Sequence, residues 1–328
     1  MKERILDILR TGGKKPLSGE KISQVLGISR AAVWKHIRIL RQEGYEILSR
    51  PGTGYSLVRR PDKLYPAEIR AALEGDSLFK EIEYHEILDS TNNRAKELAD
   101  GGAPAGTLVL AEEQTGGRGR LGRSWVSPAG QGLYFSFVLR PSMLPRQVAS
   151  LTLVTAVSAC QSIAEVTGLR AGIKWPNDLL VDGKKACGIL TEMKGEIDRV
   201  HYVVVGVGIN VNGDQEDFPQ ELRERITSLA QVVGREISRL SLLVSFLQKF
   251  ESWYEIFQVQ GFLPVREAWK NLNVTLGEKV TVRSGREVFS GLALDLDDTG
   301  ALVLQEANGH CRTFHSGEVT LDKSLGGG

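Results

Sequence analysis

Cysteine is scarce in this 328-residue chain, and its three residues, Cys160, Cys187 and Cys311, lie far apart without a CxxC pair. That spacing excludes a disulfide framework and a thiolate metal site, and it leaves reduced, mostly buried thiols. Histidine is equally sparse. The five present form no HxxxH pair, so no zinc centre built from protein ligands is expected. No run of about eighteen apolar residues occurs, and the start, MKERILDILR, carries charge where a secretory leader needs an apolar stretch. The expectation is a soluble, cytoplasmic protein. With 41% hydrophobic and 25% charged residues the composition is that of globular material, long enough for two or three domains.

The net charge of +1 hides an asymmetry. The first 60 residues hold 13 Lys and Arg against 5 Asp and Glu, a balance of +8, and the rest hold 28 against 35, or −7. One end is suited to a polyanion. It reads as helix, helix, turn, helix and hairpin: Ile5, Ile8 and Leu9 mark a first apolar face, and Ile22, Val25 and Leu26 a second. Gly27 ends the second helix and Ser29 caps a third, in which Val33, Ile37 and Leu40 share one face while Arg30, Lys35, Arg38 and Arg41 project elsewhere. YEILSRPGTGYSL then gives two short strands around a Pro-Gly-Thr-Gly turn with Arg50 at its shoulder. This resembles a winged helix-turn-helix domain. Basic surface helices are commonly just solvated, but helix order, hairpin and local charge together favour DNA, with Ser29, Arg30, Ala31, Lys35, Arg38 and Arg50 as the contact set.

Around RRPDKLYP the pattern loosens into an expected linker. Strands are expected at EIEYHEI, GTLVLAEEQ, GLYFSFVL, the pair LLVDGKK and ACGILTEM, and VHYVVVGVGINV, with helices over 66–74, 91–99, 145–167 and 239–259. Strands outnumber a regular strand-helix alternation, so the expected class is multidomain α+β with a mixed central sheet. From residue 274 short apolar runs broken by turn residues fit a small β-barrel. The expected division is 1–62, 63–272 and 273–328.

GGRGRLGRSW, residues 116–125, contains Gly117, Gly119 and Gly122 in a GxGxxG pattern, but RSWVSPAG is a poor helix and no acidic residue stands some twenty positions on. A dinucleotide fold is thereby excluded. What remains is a glycine-rich loop carrying Arg118, Arg120 and Arg123, a composition suited to phosphate or carboxylate. KWPNDLLVDGKKACGILTE, residues 174–192, places Lys174, Asn177 and Asp178 at a strand end and Lys185 on the strand returning from an Asp182-Gly183 hairpin. GKK is not a Walker A loop, yet two lysines and a carboxylate near an arginine loop suit ATP with magnesium, Asp178 being the candidate metal ligand. Taken alone, either segment also reads as solvated basic surface.

GRGRLGRSW, KWPNDLL, KKACGILTE and VGVGINV, in this order, are similar to the motifs of the biotin protein ligase family, and SGEKISQVLGISRAAVWKHI resembles the helix-turn-helix of its repressor-type members. The resemblance covers nearly the whole chain. It implies a central domain of the class II aminoacyl-tRNA synthetase and biotin ligase type and a C-terminal SH3-like barrel. It also implies that biotin contacts fall on Ser90, Thr91, Asn92, Gln114, Gly117, Arg118, Gly119, Arg120, Lys185, Gly188 and Gly206. Read from the residues alone, Ser90, Thr91 and Asn92 are equally helix caps. ATP or adenylate contacts are implied at Arg118, Arg120, Arg123, Trp125, Lys174, Asn177, Lys185 and Asn210, Trp125 reading equally as a core tryptophan, and catalysis at Lys185, Arg118, Arg120 and Asp178. Segment 212–228 is expected as a second loop over the adenosine.

The implied reaction joins biotin to AMP and then to a lysine of a biotin carboxyl carrier protein, with biotin, ATP and Mg2+ as ligands. The implied partners are that carrier, operator DNA and, with adenylate bound, a second copy of the chain. Two departures from the family pattern, Leu121 where some relatives have arginine and Cys187 where a plain small residue would do, leave the chemistry intact. The rivals are a lipoate or octanoate attachment enzyme, whose glycine-rich motif differs, a transcription factor that only senses a small acid, and a ligase whose N-terminal domain has lost its operator.

Overall fold

The computed structural model describes residues 1–321 apart from 14, 51 and 74. It divides into two compact units, Met1–Ala71 and Ala72–Gly328.

In the first unit, α1 (Lys2–Thr11), α2 (Gly19–Leu26) and α3 (Arg30–Gln42) precede a hairpin of β1 (Glu46–Arg50) and β2 (Gly54–Arg59). The caps follow from local chemistry. Ser18 Oγ accepts from Lys21 N, Ser29 Oγ accepts from Ala32 N, and Gly27 takes the left-handed φ of 64° that closes α2. Ile5, Leu9, Ile22, Val33, Ile37 and Leu40 form the core with Tyr45 and Ile47. Val25 does not join them: it lies 61% exposed, because Ile22 and Leu26 supply the inward stripe of a two-turn helix. The expected Pro-Gly-Thr-Gly turn falls partly outside the described residues, since residue 51 is not among them. The expected linker at 59–66 is structured instead. Leu64 is buried, Tyr65 and Ala67 pack on the first unit's core, and α4 (Pro66–Leu73) begins there. Arg10 Nη2 sits 2.5 Å from Glu68 Oε1, a carboxylate 1% exposed, so this stretch is fastened to the helices by an ion pair.

The second unit is a seven-stranded sheet clasped by helices. Its strands, β3 (Ile82–Leu88), β4 (Leu108–Gln114), β5 (Gly132–Leu139), β6 (Gly172–Lys174), β7 (Asp178–Val181), β8 (Lys184–Gly195) and β9 (Val200–Asn210), stand in the order β3-β4-β5-β9-β8-β7-β6. Only β3 and β4 run parallel, which makes the sheet mixed. α5 (Thr91–Asp100) packs on β4, β5 and β9, whereas α6 (Ala149–Thr167) packs against α8 (Arg239–Gln260) and α9 (Leu263–Leu272). A short α7 (Leu229–Val233) precedes α8.

Interior strand β5 explains the layering. Its eight residues are all buried, and alternation sends Phe135 and Phe137 toward Phe246 and Phe250 of α8, with ring centroids 5.0 Å and 4.6 Å apart. Burying each such ring contributes roughly 1.5–3 kcal/mol. Val138 and Ser136 face the opposite way, Val138 into an apolar cluster with Ala95 and Ala99, Ser136 toward the first residues of α5. A polar residue in a fully buried strand thus marks where the helix begins. With its preceding turn, α6 is long and apolar enough to cross a membrane, but it is mostly buried as a core helix.

The last strands, β10 (Lys279–Ser284), β11 (Glu287–Leu296), β12 (Leu302–Glu306), β13 (Cys311–Phe314) and β14 (Glu318–Leu321), form a small antiparallel sheet in the order β13-β12-β11-β10-β14. It is fastened to the seven-stranded sheet at Trp175, whose backbone N donates to Thr275 Oγ1 (2.9 Å) and whose indole Nε1 donates to Gly300 O (3.1 Å). Of the cysteines, Cys160 and Cys187 are buried and Cys311 is exposed.

Candidate active site

One cleft at the ends of β4, β8 and β9 gathers segments up to about 230 residues apart, from Ser90 to Glu318. Its floor is a hydrogen-bond chain. Thr91 N donates to Gln114 Oε1 (2.9 Å), Gln114 Nε2 donates to Ser127 Oγ (2.9 Å), and Ser136 Oγ stands 2.7 Å from Thr91 Oγ1 and 2.6 Å from Asn92 Oδ1. Asn92 Nδ2 donates to Glu192 Oε2 at 2.9 Å. Ser90 occupies the N-cap position of α5, but its side chain makes no capping bond. Asn92 Oδ1 lies directly over Gly206, where an added Cβ would fall 1.8 Å from it, so only glycine fits.

The glycine-rich loop after β4 forms a single 3-10 turn, Arg120–Gly122, and no α-helix before β5, as the rejection of a dinucleotide fold requires. Each arginine has its own partner. Arg118 donates to Asn93 Oδ1 (2.8 Å) and Glu192 Oε1 (3.1 Å), Arg120 to Asn177 Oδ1 (3.0 Å), and Arg123 lies 2.5 Å from Glu318 Oε1 of β14. Burial pulls the Arg120 guanidinium and the Lys174 ammonium below their ordinary values, with Asp178 acting against that pull. The Glu318 hydrogen bond raises Arg123, and the same contact lowers Glu318.

Trp125 lies across the neighbouring strands. A Cβ on Gly208 would come 2.5 Å from its indole and one on Gly188 2.9 Å, and these two glycines are register partners on β8 and β9. Lys185 Nζ stands 5.3 Å from the Trp125 ring centroid and 2.7 Å from Asp178 Oδ1. That carboxylate oxygen is buried and has ion-pair contact with Lys185 without hydrogen-bond geometry.

The structure therefore brings together Ser90, Thr91, Asn92, Gln114, Arg118, Gly119, Arg120, Arg123, Trp125, Lys174, Asn177, Asp178, Lys185, Gly188 and Gly206. Gly117 and Asn210 are not on the cleft wall. Gly117 is buried where a Cβ would meet Trp125 O at 2.3 Å, and Asn210 Nδ2 donates to Thr227 O, so both brace loops. Segment 212–228 does not line the cleft either. It pairs with the start of β8, where Lys185 N donates to Arg225 O and Thr227 N to Lys185 O, and it borders a separate depression with Asp182 and Lys184. Sequence reasoning missed Glu192, Ser136, Trp175 and Glu318. Glu192 sat unremarked inside a recognised motif, and Glu318 carries no local signal at all.

In the first unit Ser29, Arg30, Ala31, Lys35, Arg38 and Arg50 are all exposed. Arg38 lies 5.9 Å from the ring centroid of Trp34, itself 54% exposed. Arg41 is committed elsewhere, donating from Nε and Nη2 to Ile47 O.

Fold and site define a two-part protein: a winged helix-turn-helix with a bare cationic face, and an α+β unit with a cation-lined cleft. Residues 2–56 match an HTH domain, 84–210 the biotin/lipoate A/B protein ligase family, and 275–322 the biotin protein ligase C-terminal domain. The bifunctional ligase/repressor BirA of Bacillus subtilis is 42% identical over 98% of both chains, and that of Escherichia coli is 32% identical over 93% of this chain and 92% of its own. The biotin protein ligase of Aquifex aeolicus, solved with biotin and ATP, is 31% identical with a TM-score of 0.64, covering 74% of this chain and 99% of that one. The chain belongs to the biotin protein ligase family.

Proposed function

We propose that the chain is a bifunctional enzyme and repressor, activating biotin with ATP, transferring it to a lysine of a carboxylase carrier protein, and binding operator DNA. In the first step a biotin carboxylate oxygen attacks the α-phosphorus of ATP, the bond to the β-phosphate oxygen breaks, and pyrophosphate leaves. In the second a lysine amine attacks the acyl carbonyl, and AMP departs with the bonding pair. No enzyme nucleophile is needed. Cys187, on β8 beside the cleft, is unsuited to the role, because burial pushes its thiol well above the ordinary range. Catalysis is positioning and charge stabilisation.

The observation that carries this reading is the convergence of Arg118, Arg120, Lys174 and Lys185 on one cleft beside the carboxylate of Asp178. Lys185 polarises the reacting carboxylate and phosphate oxygens, Arg118 and Arg120 offset phosphate charge, and Trp125 covers the adenylate. Magnesium carried by ATP supplies further charge neutralisation, and Asp178 would hold it, consistent with the one or two carboxylates such an ion takes. In the first unit Ser29, Arg30, Ala31, Lys35, Arg38 and Arg50 meet DNA. With adenylate bound the chain forms a homodimer through a sheet edge, setting two winged helices on a two-fold operator. It works in the cytoplasm, in three parts, 1–62, 63–272 and 273–328. Biotin-dependent exchange of labelled pyrophosphate into ATP tests the enzyme. Exchange that needs biotin supports the reading, and a folded protein that binds biotin without exchange contradicts it.

A further inference from the structure

We infer that Glu192 is a positioning residue that sets the direction of the Asn92 amide in the cleft, presenting Asn92 Oδ1 to the ligand as an acceptor for a urea N–H. The inference rests on the reading that the ligand is biotin, whose ureido ring offers two N–H donors and one carbonyl. Glu192 does not touch that ring in this account; it acts through Asn92.

An amide side chain offers a donor from one end and an acceptor from the other, and its surroundings decide which end faces where. A carboxylate only accepts. Glu192 Oε2, 2.9 Å from Asn92, therefore draws the amide nitrogen, as does the carbonyl of Leu190 at the longer distance of 3.3 Å. Asn92 Oδ1 is left over Gly206, where it accepts from Ser136, and both Asn92 and Gly206 line the cleft. Ser136 Oγ also lies 2.7 Å from Thr91 Oγ1, which in turn donates to Gln114 Oε1 at 3.2 Å. Glu192 thus sets the direction of the Asn92 amide, whereas Gln114 is oriented by the backbone N–H of Thr91.

The other oxygen of Glu192 is pinned. Lys96 Nζ and Arg118 Nη2 each lie 3.1 Å from Oε1. Burial pushes the Glu192 carboxyl up, but the hydrogen bonds from Asn92 and Lys96 and the nearby cations outweigh it and hold the group below the ordinary range. Two cations on one oxygen also fix what an isosteric amide must do. In Glu192→Gln the amide oxygen turns to Lys96 and Arg118, its NH2 meets Asn92 Nδ2, and Asn92 must turn to present a donor where it presented an acceptor.

The test is calorimetric titration with biotin and with biotin methylated on each ureido nitrogen in turn. The wild-type protein is expected to reject one methylated isomer by about tenfold to hundredfold, the range for a buried polar group left unpaired. Glu192→Gln should bind biotin weaker by a similar factor and reject that isomer by no more than about threefold, since the bond is already lost. Glu192→Asp, still an acceptor, should restore most of the discrimination. Ser136→Ala, which leaves Glu192 in place, should keep it. Unchanged discrimination in Glu192→Gln would overturn the inference and leave the ligase reading standing, with the Leu190 carbonyl holding Asn92. If Glu192→Gln does not fold, Ser136→Ala decides: retained discrimination supports Glu192, and lost discrimination assigns the direction to Ser136. A protein that binds no biotin sinks both readings.

Discussion

The two units treat positive charge in opposite ways. Among the described residues, Arg30, Lys35 and Arg50 of the first unit are exposed and make no ion pair, whereas the cleft places Arg118 on Glu192, Arg123 on Glu318 and Lys185 on Asp178. Free cations on a solvated face suit a polymer that neutralises them one phosphate at a time and pays with released counterions. Cations already held by carboxylates are oriented before a small ligand arrives, and the low dielectric of a closed cleft makes each worth more to a transition state. The unpaired cations of α3 and the hairpin mark a surface for a polyanion, and the carboxylate-held Arg118, Arg123 and Lys185 of the cleft mark a preorganised site.

Four changes sharpen that contrast, from the largest effect to the smallest. Lys185→Ala should lower biotin-dependent pyrophosphate exchange by roughly a hundredfold to a thousandfold, the range for losing one preorganised stabiliser, with the melting temperature nearly unchanged. An equal loss of folded protein would mean that Lys185 is structural. Gly208→Ala puts a methyl 2.5 Å from the Trp125 indole. It should destabilise the unit by about 1–3 kcal/mol through overpacking and weaken ATP binding in the same titration, leaving DNA affinity untouched.

Lys35→Ala should weaken binding to all DNA sequences alike and lower the slope of log K against log salt by about one, while exchange is unaffected. A change confined to one sequence would make Lys35 a base reader. The smallest effect concerns acid. Glu192 and Glu318 are both held below the ordinary Glu value of 4.5, so their contribution to stability is present above that pH and is lost as pH falls through the lower folded values. Thermal unfolding followed from about pH 5 to pH 3 should show it, and Glu318→Gln should remove well under about 1 kcal/mol of it because that pair is partly solvated.

The same contrast explains what was legible in the sequence. The winged helix is written in short-range terms: Ser29 caps α3 three residues before Ala32, Gly27 ends α2, and Val33, Ile37 and Leu40 repeat at helical spacing. Even there, Val25 looked inward and is exposed, since two turns of helix need only Ile22 and Leu26 to reach the core. Residues 59–66 read as linker because the ion pair holding Glu68 to Arg10 spans 58 positions and has no periodicity. In the larger unit β5 was read to the residue, as an unbroken apolar run must be, and the strand ends carrying Lys174, Asp178 and Lys185 were placed as found.

What escaped was contact between distant segments. Glu318 reaches Arg123 across two sheets, and Glu192 reaches Asn92 from 100 positions away. α9 has no boundary signal that separates it from the mixed stretch before it, and segment 212–228, expected over the cleft, is held against β8 by its backbone.

The most direct measurement is incubation of the full chain with labelled biotin, Mg·ATP and a biotin carboxyl carrier domain, following the carrier by mass spectrometry. Label on a single carrier lysine, dependent on ATP and abolished by Lys185→Ala, is the predicted result. An unlabelled carrier, with the protein folded and biotin bound, would make the cleft a sensor of biotin and contradict the ligase account.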